Sequence, residues 1–445
     1  MRIRSEFLRN VVTLMTGTVI AQAIPILISP VLSRLYSPFD FGLFALFVSV
    51  AGIISVIATG CYEYAVMLPE KDEDAINIVA LSVLVACAVS VTSLIVLGLW
   101  SREISVLVNN PDISKWLFFV PLVVLFTGLF QSFNYWFTRK KQFGKLAASR
   151  IAQTSTSSGI MLGLGFGRPG VAGLVTGSIL GGFVGAATLG WQTYRDAAFK
   201  IRVISNRAIK KQAVRYRRFP MYSSFSGFLN TASLQIPIIL LTSFFSGSVA
   251  GLYYYSYRLL SLPMSLMGTS IGQVFFNKAS EHKNDREKLK DITFRLYKRL
   301  LYIGVFPLTV IMFYGDSIFS FVLGSAWRLS GEYAQVLSPW ILLVFISSPL
   351  STLFDVLEKQ KEELIFNYLF FIGRVASLCV GGLVFHDAYI AIALFGITGA
   401  AMWLSYLLYL FYLVRIDYFE SLKFTLIVTL GTGGILFLGK YILGL

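Results

Sequence analysis

Long apolar runs separated by short charged segments recur along the entire chain. They lie near 11–34, 40–60, 76–100, 115–138, 146–166, 170–192, 220–244, 250–276, 299–321, 334–356, 363–385 and 388–414, with one more at 422–443. About 20 apolar residues in a helix span about 30 Å of hydrocarbon, so each run can cross a bilayer. Backbone polar groups in lipid find partners only inside helices or closed barrels, and runs of this length are helical. The pattern predicts an all-α integral membrane protein with twelve core spans and an extra C-terminal helix. The run Gly251–Asn277, GLYYYSYRLLSLPMSLMGTSIGQVFFN, stands apart because Arg258 lies inside it. An arginine within a span costs roughly 2.5–3.5 kcal/mol on insertion scales and normally faces a partner, a cavity or water. Tyr254 and Tyr255 precede it by four and three residues and share its side of a helix, and Ser261 continues that side.

The chain also repeats with a period near 210–219 residues. SPFDFGLFALF, with Gly42 in the turn, parallels SGSVAGLYYYS, with Gly251; Pro25 parallels Pro237; RKKQFGKL parallels EKQKEELI, each just before a span. Each repeat holds six spans, an even number, so both halves enter the membrane in the same orientation. The expected architecture is two six-helix lobes related by a pseudo-two-fold axis along the membrane normal, with a site between them. The N-terminal lobe is 1–192, a basic linker is 193–219, the C-terminal lobe is 220–414, and 415–445 is a C-terminal segment.

Charge then sets the topology. The chain has 445 residues, 56% hydrophobic and 14% charged, with net charge +15. With the N-terminus inside, 30 of the 38 Lys and Arg fall on the cytoplasmic side, 6 on the other, and Arg258 and Arg374 within spans. That bias is a positive-inside pattern. It accounts for the basic excess without nucleic acid and adds an attraction to anionic inner-leaflet lipid. The basic start (Arg2, Arg4, Arg9) before an apolar run imitates a signal peptide. The run is too long and lacks a small-x-small cleavage site, so it reads as an uncleaved first span. The 3 cysteines and 2 histidines are scattered, and neither a disulfide framework nor a histidine metal site is expected.

Polar stripes interrupt several spans. Arg374 has Asn367 and Ser377 on its side of span 11. Arg150 opens span 5, followed by Gln153, Thr154 and Ser157. Span 7 carries Ser223, Ser226 and Asn230, and span 2 carries Ser55, Thr59 and Glu63. Arg34 closes span 1 near Asp40. Such stripes serve either as helix–helix hydrogen bonds or as the lining of a shared wet cavity; two arginines within spans favour the cavity. Gly173, Gly177, Gly181 and Gly185, with Gly159 and Gly163, form small-x3-small stripes best explained by packing within a lobe rather than by a dimer interface. Gly434-x4-Gly439-Lys440-Tyr441 mimics a phosphate loop but lacks the following Ser/Thr and a preceding strand. Asp and Glu are absent from span centres. Arginine stays charged in low dielectric and binds phosphate bidentately, so the expected cargo is anionic and phosphate-bearing.

RLYSPFDFGLFALF (Arg34–Phe47) and EYAVMLPEKDEDA (Glu63–Ala75) resemble the opening of Wzx-type O-antigen flippases and related polysaccharide export proteins. The span count, the basic mid-chain linker and the length agree with that family, which is similar to exporters of the MATE fold. The resemblance implies transfer of an undecaprenyl-pyrophosphate-linked oligosaccharide from the cytoplasmic to the periplasmic leaflet of the bacterial inner membrane. It implies a basic lumen, alternating access, and a place in lipopolysaccharide biosynthesis beside a polysaccharide polymerase and a chain-length regulator. No cofactor is expected; the sequence holds nothing resembling an ATPase, so transport is expected to be driven by a gradient, of sodium or protons, or by the substrate itself. Arg258, Arg374 and Arg150, with Arg34 and Asn230, chosen from the charges and polar stripes of this sequence and not from a family motif, are candidate contacts for such a cargo. Tyr254 and Tyr255 are candidate sugar-stacking rings. Glu63, Glu70 and Asp74 are candidate entrance residues, the last two in an acidic turn. Pro25, Pro237, Pro263 and Pro349 are candidate kinks. The alternative is a multidrug or small-molecule antiporter of the same fold. A polysaccharide polymerase or ligase would need a sizeable outward loop carrying acid and base groups, and the longest, roughly 322–333, offers only Arg328 and Glu332.

Overall fold

A computed structural model describes residues 2–168 and 170–443. The side chains of Arg2, Arg4, Arg9, Pro263 and Lys440 lie outside the described residues. All regular structure among the described residues is helical, as lipid requires of a chain that cannot close a barrel.

The chain packs as two compact units, Met1–Gly251 and Leu252–Leu445. The first contains α1 (Arg2–Leu35), α2 (Pro38–Ser55), the single turn α3 (Tyr62–Ala65), α4 (Asp72–Leu107), α5 (Ile113–Leu117), α6 (Val120–Arg139), α7 (Phe143–Phe166), α8 (Val171–Tyr194), α9 (Asn206–Arg215) and α10 (Ser224–Phe244). Helix α11 (Gly247–Leu260) crosses the division. The second continues with α12 (Leu262–Glu281), α13 (Arg286–Leu323), α14 (Arg328–Leu350), the turn α15 (Leu353–Val356), α16 (Gln360–Val380), α17 (Ala388–Leu413) and α18 (Tyr418–Leu443). The contact division thus falls inside a helix, beyond the basic segment 193–219. In the first unit α7 packs on α1 and α8, and α6 packs on α2, α4 and α8. In the second, α14 is central, against α12, α13 and α17, and α18 lies on α13.

Helices occupy the thirteen apolar runs, and ten segments among the described residues are long and apolar enough to span a membrane. Several runs are not single helices: α5 and α6 share 115–138, and α14 and α15 share 334–356. Residues 40–60 are not one helix: α2 ends at Ser55 and turns follow to Cys61, whose φ of 57° is left-handed. Residues 250–276 are not continuous either. The helix breaks at Ser261, because Pro263, second in α12, has no N–H to carry the ladder back toward α11. The Ser261 hydroxyl donates instead to the Arg258 carbonyl at 3.1 Å. Pro25, Pro237 and Pro349 sit inside unbroken helices. The phosphate-loop mimic near Gly434 lies within α18, and helical backbone is no phosphate cradle.

Local signals start the helices. Ser37 and Asp40 form a reciprocal capping box at α2 with Pro38 in its first turn. Asp285, Asp387 and Ser205 cap α13, α17 and α9. Gly42 and Gly251, aligned in the sequence repeat, meet face to face. A β-carbon on Gly42 would lie 1.6 Å from the Gly247 carbonyl oxygen, and one on Gly251 would lie 2.0 Å from that of Pro38. Only glycine permits this crossing of α2 and α11.

Candidate functional site

Hydroxyl bonds fix the rotation of α11 in the second unit. Ser256 Oγ donates to the Ser330 carbonyl at 2.6 Å, and Ser330 Oγ donates to the Leu252 carbonyl at 2.8 Å, both fully buried. One consequence is a stacked aromatic column. Tyr253 and Tyr257, one turn apart, stack at 6.1 Å, and Tyr257 stacks on Trp340 at 5.8 Å. The adjacent stripe carries Tyr254 and Arg258. The Arg258 guanidinium donates to the Tyr254 hydroxyl at 3.1 Å and stands 5.8 Å from the centre of that ring. Both side chains are half-buried. Tyr255 does not join them: it is 2% exposed and packs 4.5 Å from Trp327. A single residue step turns a helix by about 100°, enough to send Tyr255 into the core as a packing ring with no face free for a sugar.

Arg374, on α16, lies among aromatic rings. It borders a cavity of about 10 Å³, at most one water-sized space, together with Trp340, Phe370, Phe395 and Trp403. Tyr253 and Tyr257 are its electrostatic neighbours. The indole N–H of Trp340 is buried without a hydrogen-bond partner. Thus α11 carries Arg258 beside Tyr254 on one stripe and meets Arg374 of α16 through Tyr253 and Tyr257 on another. Ser377 shares the Arg374 turn, its hydroxyl donating to the Arg374 carbonyl at 3.1 Å. A larger, polar groove of about 580 Å³ runs along α12 beside the end of α14. The polar stripes of the sequence pattern do not include α12, yet Gln273 and Asn277 are spaced by four, a signal visible in the residues themselves.

The first unit holds the other candidates. Arg150 on α7 donates to the Thr18 hydroxyl on α1 at 3.0 Å. Two members of its stripe serve packing: β-carbons on Gly177, Gly181 and Gly185 of α8 would collide with Met161, Ser157 and Gln153. The glycine stripe therefore seats α8 on α7. Arg34 and Asn230 are exposed. Asp40 is occupied by Ser37, whose N–H and hydroxyl donate to it at 2.9 and 2.7 Å, and no ion pair joins it to Arg34 among the described residues.

Glu63, Glu70 and Asp74 do not form one acidic entrance. Glu63 is 3% exposed and bonded to the Thr59 hydroxyl, itself fully buried. Burial pushes the Glu63 carboxyl up, against the opposing effects of Thr59 and its own backbone. Asp74 accepts from Gln212 on α9 at 2.5 Å, so it ties the basic segment to α4. Glu70 is exposed, its carbonyl held by Arg139. Arg139, unremarked in the sequence pattern, gathers this loop. It donates to the carbonyls of Val66 at 3.1 Å, Pro69 at 2.7 Å and Glu70 at 3.2 Å, and to Asp72 at 3.2 Å.

No group of three His, Cys, Asp or Glu able to hold a metal occurs among the described residues. A family model described as polysaccharide biosynthesis protein matches residues 31–331. No curated protein matches the chain. Solved structures do. The chain is similar to an inward-facing multidrug resistance MATE family transporter of the MOP superfamily, with TM-score 0.70 at 14% identity, over 89% of this chain and 98% of that one. It is similar to the lipid II flippase MurJ in an inward closed conformation, with TM-score 0.63 at 17% identity, over 94% and 91%. A MOP superfamily transporter from Pyrococcus furiosus, whose binding pocket of reverse polarity suggests a different function, gives 0.59 at 16% over 92% and 95%. At such identities the similarity establishes the fold, that of the MATE transporters.

Proposed function

The chain belongs to the polysaccharide biosynthesis protein family, and from that premise we propose that it flips an undecaprenyl-pyrophosphate-linked oligosaccharide from the cytoplasmic to the periplasmic leaflet. Its family, its apolar helices and its fold make it a multi-pass membrane protein of the transporter fold. In this reading the N-terminus is cytoplasmic, two six-helix lobes alternate access, and an ion gradient drives the cycle.

The observation that carries the reading is Arg258. It is a cation in a membrane segment, half-buried, with one hydrogen bond to a tyrosine and no carboxylate partner among the described residues. A guanidinium has five N–H donors, so Arg258 retains most of its capacity for a phosphate. It lies just before the break at Ser261, where the chain can bend without disturbing a continuous helix. Tyr254 would orient it and offer a ring edge to the first sugar. Arg374 would add positive potential. Arg150, Arg34 and Asn230 are assigned weaker contacts with the cargo.

The test is deletion with complementation. Loss of surface glycan in the deletion, with lipid-linked intermediate trapped on the cytoplasmic leaflet, restored by wild type but not by Arg258→Ala at equal protein level, is the expected result. Normal glycan in the deletion strain would overturn the reading. The similarity to a multidrug MATE transporter supports one alternative, a small-molecule antiporter. A deletion strain sensitised to cationic dyes with its glycan intact would establish that instead.

A further inference from the structure

The groove beside α12 lies apart from the arginines and has a different chemistry. Its volume of about 580 Å³ falls within the about 300–1,000 Å³ of small-molecule sites. Its floor is a glycine: Gly272 is buried opposite Pro349 and Thr352, and a β-carbon there would already touch them at 3.8–4.0 Å, so any larger side chain takes space from the groove. Its walls are polar and aromatic. Gln273 and Asn277 are exposed on one side of α12, Phe276 is 39% exposed beside them, and Thr352 and Asp355 face them from the end of α14 and from α15. Polar side chains on a membrane helix normally face a partner or a wet path.

Asp355 decides the ligand class. Two lysines at this end of the unit are paired, Lys283 with Glu358 at 2.6 Å and Lys359 with Glu362 at 3.0 Å, and Lys278, next to Asn277, lines a different groove with Asp291 and Arg295. Asp355 has neither an ion pair nor a side-chain hydrogen bond among the described residues. Glu363 is its electrostatic neighbour. A groove with a free carboxylate repels pyrophosphate. Two amides, a hydroxyl and a carboxylate beside an aromatic face instead suit a hydroxyl-rich ring. The amides donate and accept, the carboxylate accepts from paired hydroxyls, and Phe276 covers the apolar C–H face.

We propose that this groove is the glycan subsite, taking neutral or amino sugars of the cargo and rejecting acidic ones, while Arg258 holds the pyrophosphate. The inference rests on the flippase reading. It divides one amphiphilic substrate between a cationic position on α11 and an acidic one beside α12, on either side of the break at Ser261.

The experiment uses the full chain in detergent with two probes. One is the lipid-free oligosaccharide released by mild acid from the host's own lipid-linked intermediates; the other is inorganic pyrophosphate. Gly272→Leu, which fills the floor, and Asp355→Asn should each weaken oligosaccharide binding by about tenfold or more and leave pyrophosphate binding unchanged. Arg258→Ala should do the reverse. Equal oligosaccharide binding by wild type and both groove variants, with pyrophosphate still dependent on Arg258, overturns the subsite and spares the flippase reading. Wild type that binds neither probe overturns both. Should Gly272→Leu fail to fold, Asp355→Asn decides alone, since its side chain is exposed and the change is isosteric.

Discussion

Arg139 in the first unit closes a helix long and apolar enough to span a membrane, Arg258 in the second lies near the end of the apolar helix α11, and their surroundings make them opposites. Arg139 closes α6 with its side chain 13% exposed and its donors shared among three carbonyls and Asp72, where Lys140 joins it. Arg258 has Tyr254 alone. The first charge is consumed by its own loop, holding the segment from Val66 to Asp72 against the end of α6. The second has no carboxylate partner among the described residues. An arginine on an apolar helix is therefore a candidate for a site only when the fold leaves it unsatisfied, and that property belongs to the partners, not to the residue.

The largest expected effect tests the satisfied member. Arg139→Ala strips partners from three carbonyls and half the salt-bridge network of Asp72. The Val66 and Pro69 carbonyls are part-buried, while Glu70 and Asp72 reach water; leaving a buried polar group unpaired costs about 1–3 kcal/mol, so a loss of about 2–4 kcal/mol is expected. It should appear as a lower thermal midpoint in detergent and less protein in the membrane. An unchanged midpoint would dissolve the contrast. A smaller effect tests the unsatisfied member. Arg258→Lys keeps the charge and loses the planar fork. Its thermal midpoint should match wild type, while translocation, read as the ratio of periplasmic to cytoplasmic lipid-linked glycan, falls about tenfold, short of the complete loss expected for alanine. Wild-type translocation in Arg258→Lys would reduce the requirement to a point charge.

The apolar runs were legible because bilayer burial selects long, uninterrupted hydrophobicity, and helices stand where they fall. Arg258 and Tyr254 were legible for the same reason: a four-residue spacing holds on any helix. Tyr255 was not, because the choice between neighbouring stripes is made by Ser256 bonding to Ser330, 74 residues away in sequence. The break at Ser261 was hidden by apolar residues on both sides of Pro263, and length alone cannot tell one helix from two. Gly42 and Gly251 were paired by the repeat, but that they touch follows from how α2 crosses α11. Arg139 passed as one more basic residue at a helix end, since the positive-inside pattern expects arginine there whatever it bonds.

Glu63 extends the comparison to the opposite sign and gives the smallest effect. Like Arg139 it belongs to the first unit and is held by its own surroundings, through the Thr59 hydroxyl, but no cation pairs with it among the described residues. Burial raises its carboxyl above the ordinary glutamate value of 4.5. The folded chain thus binds this proton more tightly than the unfolded chain does. Its contribution to stability is full below the unfolded value, declines as pH rises from about there, and is lost once pH passes the raised folded value. Glu63→Gln keeps an acceptor for Thr59 and removes the titration. Groups common to both proteins cancel in the difference of their thermal midpoints. That difference should move in favour of the glutamine variant as pH rises through the carboxylate range, and then level off. A difference independent of pH would mean that Glu63 is as well solvated in the folded chain as in the unfolded one, and that its burial beside Thr59 places no demand on its charge.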